Sequence, residues 1–268
     1  MSKENIHPSA IVSPSAKLGD GVEIGPYSIV GDNVELGNNC VVMHHSVIDK
    51  NTKIGPGTKI YPFSSIGTDP QDITFKDEET FVEIGSNNLI REFTTINRGT
   101  EKGGGLTKIG DNNYFLAYAH IAHDCQIGNN TLFINGATLA GHVEVEDFAY
   151  IGAFSSVHQF VRIGRNSYIG AYTIVEQDIL PFLKISQSRD SFNFYGTNSI
   201  GMLRSGIERP FINNVNDILN IIYKGDMNTS QAVEKLEQIY EDSPEVQIIV
   251  EFLSKTKRGI LKNFKFGK

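Results

Sequence analysis

The sequence predicts a mainly β protein, a parallel β-helix of hexapeptide repeats, followed by a small C-terminal α-helical domain. Three observations support this fold class. An aliphatic residue recurs at every sixth position, the side chain four residues later is small, and beyond Glu176 the period of six gives way to helical spacing. An α-helix cannot produce a period of six, because its apolar stripe recurs at three and four residues. A coil of three short strands, stacked on the next coil, has this period.

The aliphatic series occupies the first two-thirds of the chain. It comprises Val12, Leu18, Ile24, Val30, Leu36, Val42, Ile48, Ile54, Ile60, Ile66, Ile84, Ile90, Ile96, Ile109, Phe115, Ile121, Ile127, Phe133, Leu139, Val145, Ile151, Val157, Ile163, Ile169 and Val175. The small residues include Ser28, Cys40, Ser46, Thr58, Ser64, Ala119, Cys125 and Ala137. Both positions are expected to point inward. Glycine often follows the aliphatic residue, as at Gly19, Gly25 and Gly37, and we expect it to supply turn dihedrals that a Cβ would resist.

Two intervals interrupt the series. Residues 68–83 interrupt the series between Ile66 and Ile84, which are eighteen positions apart, the length of one coil, so we expect the register to be preserved across this loop. Residues 98–108 put thirteen positions between Ile96 and Ile109, so one residue beyond two hexads is expected to bulge as a glycine-rich loop. Loops that leave a rigid solenoid often contact ligands.

The C-terminal third has a different pattern. Residues 187–196 are predicted to form a linker, which divides the chain into a β-helix domain at 1–190 and a helical domain at 191–268. Apolar residues at helical spacing predict helices over 212–223, 232–240 and 246–253. We expect one face of this domain to cap the open end of the β-helix.

Composition excludes several classes of protein. A formal net charge of -7 disfavours binding to nucleic acid, whose phosphates an acidic surface repels. The two cysteines, Cys40 and Cys125, form no CxxC pair, so neither a disulfide framework nor a cysteine zinc site is predicted. No apolar run approaches the roughly 20 residues of a membrane span. We expect a cytoplasmic protein without integral membrane association.

Histidines mark the candidate site. Four of the seven, His120, His123, His142 and His158, fall in one stretch of coils. His123 and His142 are nineteen positions apart, one more than a full coil, so they are expected at the same corner of neighbouring coils. That placement permits a shared site. A single histidine of this kind is about as often a hydrogen-bonded surface residue as a member of a functional site.

Several segments carry a family resemblance. They are IREFTTINRGT, GGGLTKIGDNN, HIAHDC, ATLAGHV and VHQF, together with QDI and TKRGI. They closely resemble the UDP-N-acetylglucosamine 3-O-acyltransferases of lipid A biosynthesis over nearly the whole chain. The resemblance implies a left-handed β-helix, a homotrimer with sites between subunits, and no metal or cofactor. It also implies transfer of a 3-hydroxyacyl chain from acyl carrier protein to the glucosamine 3-position of UDP-N-acetylglucosamine, the first step of lipid A synthesis.

The resemblance also assigns residues to roles. His123 would be the general base, Asp124 the carboxylate that orients it, and Gly141 the backbone N–H donor to the thioester oxyanion. Positions that would bind substrate are Asp72, His120, His142, Gln159, Asn198 and Arg204, the last two at the nucleotide and diphosphate end. Ala171 falls at the acyl-chain ruler. His158 is expected to be structural.

The carrier protein is acidic, as this chain is, so docking requires a local basic patch. Arg162 and Arg165 are the predicted docking residues. The trimer expectation has a second basis, because a lone prism would expose aromatic residues such as Phe115, Tyr118 and Phe133.

Four positions depart from the family pattern around the sugar nucleotide. Thr74 replaces a frequent lysine, Asn97 a common histidine, Ile200 a common glutamate and Ser205 a second arginine. These departures leave open N-acyl transfer to a 3-amino UDP-sugar by the same mechanism.

The wider hexapeptide-repeat group contains further candidate functions. One is that of a zinc lyase similar to the γ-class carbonic anhydrases, which also draw histidines from adjacent coils. The N-acyltransferase that acts later in the pathway has an extra N-terminal domain, whereas here the repeats begin near Ile11. A β-helix scaffold without enzymatic activity is the last candidate.

Overall fold

The computed structural model describes residues 5–188, 191–224, 227–240, 243–262 and 264–266. Short strands follow each other through the first part: β1 (Ile11–Val12), β2 (Lys17–Leu18), β3 (Glu23–Ile24), β4 (Ile29–Val30), β5 (Glu35–Leu36), β6 (Val41–Val42), β7 (Val47–Ile48), β8 (Thr52–Ile54), β9 (Lys59–Ile60), β10 (Ser65–Thr68), β11 (Phe81–Ile84), β12 (Leu89–Ile90) and β13 (Thr95–Asn97). The series continues with β14 (Leu106–Ile109), β15 (Tyr114–Phe115), β16 (His120–Ile121), β17 (Gln126–Ile127), β18 (Leu132–Phe133), β19 (Thr138–Leu139), β20 (Glu144–Val145), β21 (Tyr150–Ile151), β22 (Ser156–Val157), β23 (Arg162–Ile163), β24 (Tyr168–Ile169) and β25 (Ile174–Val175).

These strands form the three faces of a prism. Every third strand joins the same parallel sheet, so β1 to β25 in steps of three make face 1, β2 to β23 make face 2 and β3 to β24 make face 3. Pairing is in register from coil to coil, as between β16 and β19. The coils wind as a left-handed parallel β-helix, which confirms the predicted fold class.

The interior is filled as the repeat predicts. The aliphatic residues of the series lie in one continuous core, and the small residues four positions later are buried beside them, including Ser28, Cys40, Ser46 and Ala137. Phe115 and Phe133 also face inward and stack with ring centroids 4.9 Å apart. The expectation that these two aromatics would be exposed is therefore wrong, whereas Tyr118 is 61% exposed.

The glycines that follow the aliphatic residues are not turn residues, and Gly67, the one among them with a positive φ (80°), lies at a bulge within β10. A Cβ on Gly19 would lie 2.7 Å from the backbone nitrogen of Asn38, and one on Gly37 would lie 2.6 Å from that of Pro56. They therefore permit close stacking of coils. Most corners place a different residue type in the left-handed region, such as Asn33 at φ 56° and Phe63 at φ 61°.

The two interruptions are both loops on one corner. β10 lies on face 1 and β11 on face 2, a step that normally takes six residues, so residues 69–80 are an inserted loop and not a full coil. The step from β13 to β14 has the same change of face, so most of residues 98–105 protrude rather than a single residue. The period of six survives the first insertion because the extra length is a multiple of six.

The predicted linker is a β-hairpin. β26 (Leu183–Ser188) pairs with β24 on face 3 and then antiparallel with β27 (Ser191–Thr197), so the linker prediction is wrong. The predicted boundary at residue 190 lies outside the described residues. The two-domain division therefore stays a prediction.

Four helices and a last strand follow: α1 (Ser199–Arg204), α2 (Arg209–Lys224), α3 (Thr229–Ile239), α4 (Pro244–Ser254) and β28 (Phe264–Phe266). The three predicted helices match α2, α3 and α4, and Ser243 caps α4 with Pro244 in its first turn. Their apolar residues join the core of the β-helix. None of the described helices is long and apolar enough to cross a membrane.

Candidate active site

One corner of the prism collects the candidate residues. Both loops leave the β-helix where the chain passes from face 1 to face 2, and the next three coils carry His123, Gly141 with His142, and Gln159 at that same corner. The nineteen-residue spacing of His123 and His142 therefore has the predicted consequence. Their rings lie 5.2 Å apart, edge to face, and the His142 backbone N–H donates to the His123 carbonyl at 3.0 Å.

The Asp124 carboxylate is fixed from several directions. The Thr100 N–H donates to Oδ1 at 2.8 Å, and the Thr100 hydroxyl donates to Oδ2 at 2.6 Å. The backbone N–H of Asp124 donates to the Thr107 hydroxyl at 2.8 Å. Burial alone would raise the pKa of Asp124, but the hydrogen bonds from His123 and Thr100 outweigh it and hold this pKa below its ordinary value. The carboxylate is therefore ionised at neutral pH.

His123 forms the central hydrogen bond of the site. Its Nδ1 lies 2.7 Å from Asp124 Oδ2, and an ionised carboxylate can only accept, so Nδ1 carries the proton. The Nε2 lone pair is then available as a base. The His142 ring lies beside this pair, with Nε2 3.7 Å from Asp124 Oδ2, and stacks on Phe160 at 4.4 Å.

Gly141 lies directly against the His123 ring. A Cβ at this position would be 2.5 Å from Cε1 and 2.7 Å from Nε2 of His123, so only glycine leaves room for the imidazole. Among the described residues, no group accepts the Gly141 N–H. This N–H is a donor close to the basic nitrogen.

Burial also affects the two neighbouring histidines. His120 lies on β16 with Nδ1 2.7 Å from the Thr95 hydroxyl, and burial followed by the proximity of His123 lowers its pKa. Burial lowers the pKa of His142 as well, although Asp124 opposes this effect. Burial therefore favours the neutral form of both rings.

The two loops meet across the mouth of the site. Lys102, in the 3₁₀ turn Glu101–Gly103, places Nζ 2.5 Å from Asp72 Oδ2 and 2.8 Å from the Thr74 hydroxyl. A lysine from the second loop thus contacts Thr74, where the family often has its own lysine. The Asp72 pKa is held well below its usual range, chiefly by the Lys102 hydrogen bond and then by those from Thr74.

Asn97 and Arg98 hold the root of the first loop. The Asn97 side-chain amide donates to the Asp69 carbonyl at 2.9 Å, which gives this departure a structural role. Arg98 is fully buried, donates to the Gly67 carbonyl at 3.0 Å and pairs with the Asp69 carboxylate. Its guanidinium lies over the Phe75 ring at 5.4 Å.

A cavity of about 870 Å³ lies at this corner. Its lining includes Asp72, His123, Asp124, His142 and Gln159 of the predicted site, together with Lys102, Phe160 and Lys257. The cavity can hold a polar ligand, orient a base and offer a backbone donor beside it, which are the requirements for acyl transfer to a hydroxyl group.

Asn198 and Arg204 lie elsewhere on the prism. They line a separate cavity of about 450 Å³ on face 3 with Tyr150 and Tyr168, and Ile200 and Ser205 belong to it too. The Asn198 amide caps α1 and donates to the Asn166 carbonyl at 2.9 Å, whereas Arg204 is exposed. Ala171 is on the corner between faces 3 and 1. One chain therefore does not bring these three residues to His123.

Comparisons with known proteins agree with this geometry. Residues 178–261 match a family model described as Udp N-acetylglucosamine O-acyltransferase, Domain 2, and residues 15–50, 27–62 and 106–141 match bacterial transferase hexapeptide repeats. An acyl-[acyl-carrier-protein]--UDP-N-acetylglucosamine O-acyltransferase of Alkalilimnicola ehrlichii is 42% identical over 96% of this chain and 99% of its own length. The protein of the same name from Thermodesulfovibrio yellowstonii is 44% identical over the same shares. The chain belongs to the UDP-N-acetylglucosamine O-acyltransferase family.

Solved structures of the family superpose closely. The UDP-N-acetylglucosamine acyltransferase of Francisella novicida has a TM-score of 0.93 at 34% identity, covering 96% of this chain and 94% of its own. LpxA from Bacteroides fragilis has a TM-score of 0.91 at 38% identity, covering 96% and 99%. This membership sets aside the zinc-lyase and scaffold functions. His123, Asp124 and His142 could still group around a cation, but in this family site the Asp124 oxygens already accept from Thr100 and His123.

The docking role predicted for Arg162 is wrong. This residue is only 8% exposed, and its guanidinium pairs with Glu144 and Glu146, donates to the Phe252 carbonyl at 2.9 Å and lies over the Phe252 ring. Arg162 therefore joins α4 to face 2. Arg165 is more accessible, with 42% of its side chain exposed, and it lies 3.7 Å from Asp147.

Sequence reasoning missed several members of this acyltransferase site. Thr100, Lys102 and Gly103 come from the loop whose length was underestimated, and Lys257 enters the cavity from the segment after α4. Phe160 was not singled out, although its position eighteen residues after His142 put it in the same column of corner residues. The His158 side chain is exposed, and its one described hydrogen bond joins Nδ1 to the Gln159 carbonyl at 3.2 Å.

Proposed function

We propose that this chain transfers a 3-hydroxyacyl group from acyl carrier protein to the 3-hydroxyl of UDP-N-acetylglucosamine, the first step of lipid A biosynthesis. The observation that carries the proposal is the His123–Asp124 pair, with Nδ1 bonded to the carboxylate at 2.7 Å and Nε2 beside Gly141. The relatives named above are O-acyltransferases, which favours the hydroxyl acceptor over a 3-amino sugar.

His123 acts as the general base of the proposed reaction. Its Nε2 takes the proton of the 3-hydroxyl while that oxygen attacks the thioester carbonyl carbon. The new C–O bond forms, the carbonyl becomes an oxyanion, and the Gly141 N–H donates to it. As the C–S bond breaks, His123 returns the proton to the departing sulfur. Asp124 stabilises the transient imidazolium through its bond to Nδ1.

We further propose a homotrimer in which neighbouring chains complete each site. The His123 corner and the cavity lined by Asn198 and Arg204 share no lining residue and lie on different parts of one prism. A neighbour of the same chain can bring its Arg204 toward the diphosphate and its Ala171 toward the acyl chain. In this arrangement Asp72, His120, His142 and Gln159 bind the sugar and the pantetheine arm, and Arg165 remains a candidate for carrier-protein docking.

Product analysis tests the proposal. Purified protein is incubated with a ladder of 3-hydroxyacyl carrier proteins and either UDP-N-acetylglucosamine or its 3-amino analogue, and the products are identified by mass spectrometry. We expect an ester of UDP-N-acetylglucosamine. His123→Ala should assemble normally, and its turnover rate should fall about 10²–10⁴-fold. An exclusive amide product, or no transfer at all, would contradict the assignment.

A further inference from the structure

Lys102 joins the two loops that flank the cavity. Its Nζ lies 2.5 Å from Asp72 Oδ2 and 2.8 Å from the Thr74 hydroxyl, both on the 69–80 loop. The side chain remains 56% exposed and lines the cavity. These contacts use two of the three ammonium N–H groups among the described residues, so one is left for an oxygen of a bound ligand.

The backbone turn that carries Lys102 is held in place by the Asp124 carboxylate. Thr100, immediately before this turn, donates twice to Asp124. Gly103, immediately after Lys102, packs so closely that a Cβ there would overlap the Asp124 carboxylate. The turn therefore has a fixed position relative to His123 and Asp124. Lys102 extends from this fixed turn to the longer 69–80 loop.

The partner of Lys102 on the 69–80 loop is the Asp72 carboxylate. Its Oδ1 accepts from the Thr74 N–H and hydroxyl, both at 2.8 Å, and its Oδ2 accepts from Lys102. Only 13% of this side chain is exposed. A carboxylate held in this way keeps lone pairs in a defined direction, as recognition of sugar hydroxyls requires. Without Lys102, local contacts with Thr74 alone would orient it.

We propose that Lys102 is a positioning and specificity-determining residue of the acceptor site. It holds Asp72 at a fixed distance from the His123–Asp124 pair, and it donates its remaining N–H to an oxygen of the sugar nucleotide. The inference rests on the proposed function for the identity of that acceptor. It predicts that Lys102 contributes to binding of the nucleotide sugar and not to binding of the acyl carrier protein.

The test compares three variants of the full-length protein. Lys102→Met removes the ammonium and keeps the length of the side chain, and Lys102→Arg keeps the charge. Lys76→Met is the control, because Lys76 is an exposed lysine on the 69–80 loop, which also carries Asp72. Calorimetry measures the Kd for UDP-N-acetylglucosamine without acyl donor, and steady-state kinetics measure both KM values. For Lys102→Met we expect Kd and the sugar-nucleotide KM to rise about tenfold or more, as for loss of a charge-assisted hydrogen bond.

The remaining readouts separate this role from a purely structural one. The KM for acyl carrier protein and the melting temperature should stay near their wild-type values, Lys102→Arg should recover part of the affinity, and Lys76→Met should match wild type. The effects of Lys102→Met and Asp72→Asn should be less than additive, because each removes the same contact. An unchanged Kd and KM for the sugar nucleotide, or equal losses for both substrates, would overturn the role of Lys102.

Failure of the proposed function gives a different result. Wild-type protein that binds UDP-N-acetylglucosamine but transfers no acyl group would contradict the proposed reaction, while the Kd values would still decide the role of Lys102. Wild-type protein that neither binds the sugar nucleotide nor turns over would overturn both.

Discussion

At the scale of single residues, Thr100 holds the carboxylate of the His123–Asp124 pair that we propose as the reacting pair. The family resemblance marked His123, Asp124 and Gly141, and a spacing of one coil brings His123 and Gly141 to the same corner. Thr100 donates both hydrogen bonds to Asp124 from a loop, and no period relates a loop residue to a corner residue. Thr100 could be placed relative to Asp124 only once the length and path of the 98–105 loop were known. This contact therefore needed the structure.

Gly141 gives the first residue-scale prediction. Gly141→Ala should lower kcat by about a hundredfold or more, since the added Cβ would lie 2.5 Å from His123 Cε1 and must displace the base. Stability should change little, because the position is at a corner and Gly141 is not among the glycines with positive φ. Rapid-quench kinetics of acyl transfer, with melting temperature as the control, measure both effects. Wild-type kcat in this variant would show that the ring does not sit against Gly141 during turnover.

The lowered pKa values of His120 and His142 give a pH prediction. An unfolded histidine titrates near 6.5, so between the lower folded pKa values and about pH 6.5 the unfolded chain binds more protons than the folded protein. These two groups therefore stabilise the fold above about pH 6.5, and that contribution is lost as the pH falls through this window. Histidine NMR titrations should give both pKa values below 6.5. A value above it for either residue would reverse the sign for that residue.

At the scale of elements, strand periodicity predicted the β-helix but could not show how much of the first interruption leaves the β-helix. An insertion of twelve residues keeps a hexad pattern in phase, so eighteen positions between Ile66 and Ile84 suit either one full coil or one strand step with a loop. Only the pairing of β11 with β8 distinguishes them. The hairpin β26–β27 was missed for a related reason, since its residues follow neither the hexad nor the helical period.

The loop and its anchor give a prediction at this scale. Arg98→Met should detach the root of the 69–80 loop, because the buried guanidinium binds the Gly67 carbonyl and the Asp69 carboxylate there. Tryptic cleavage at Lys76 should accelerate about tenfold through local opening, and the KM for the sugar nucleotide should rise. Lys50→Met is the control, because Lys50 forms an exposed pair with Asp77 on the same loop. Equal cleavage rates in wild type and Arg98→Met would exclude this anchor.

At the scale of the whole molecule, one corner of the prism is strongly apolar. The corner between faces 3 and 1 presents a column of exposed aromatic rings, comprising Tyr27, Phe63, Phe93, Tyr118, Phe154 and Tyr172. Neighbouring rings stack, as Phe93 does on Tyr118 at 4.9 Å. Gly136 interrupts the column between Tyr118 and Phe154, and a Cβ on Gly136 would lie 2.7 Å from the Phe154 ring. An apolar column of this length favours burial against a neighbouring prism.

The last prediction tests whether neighbours share a site. His123→Ala and Arg204→Ala should each be nearly inactive alone, and co-assembly of the two variants should restore activity. If every site takes His123 from one chain and Arg204 from the next, each mixed trimer has one intact site of three. Random mixing at equal amounts makes about three-quarters of trimers mixed, so activity should recover to about a quarter of wild type. Sedimentation must show trimers in each preparation. If both residues served one chain's own site, the mixture would remain as inactive as its components, because no chain in it carries both side chains.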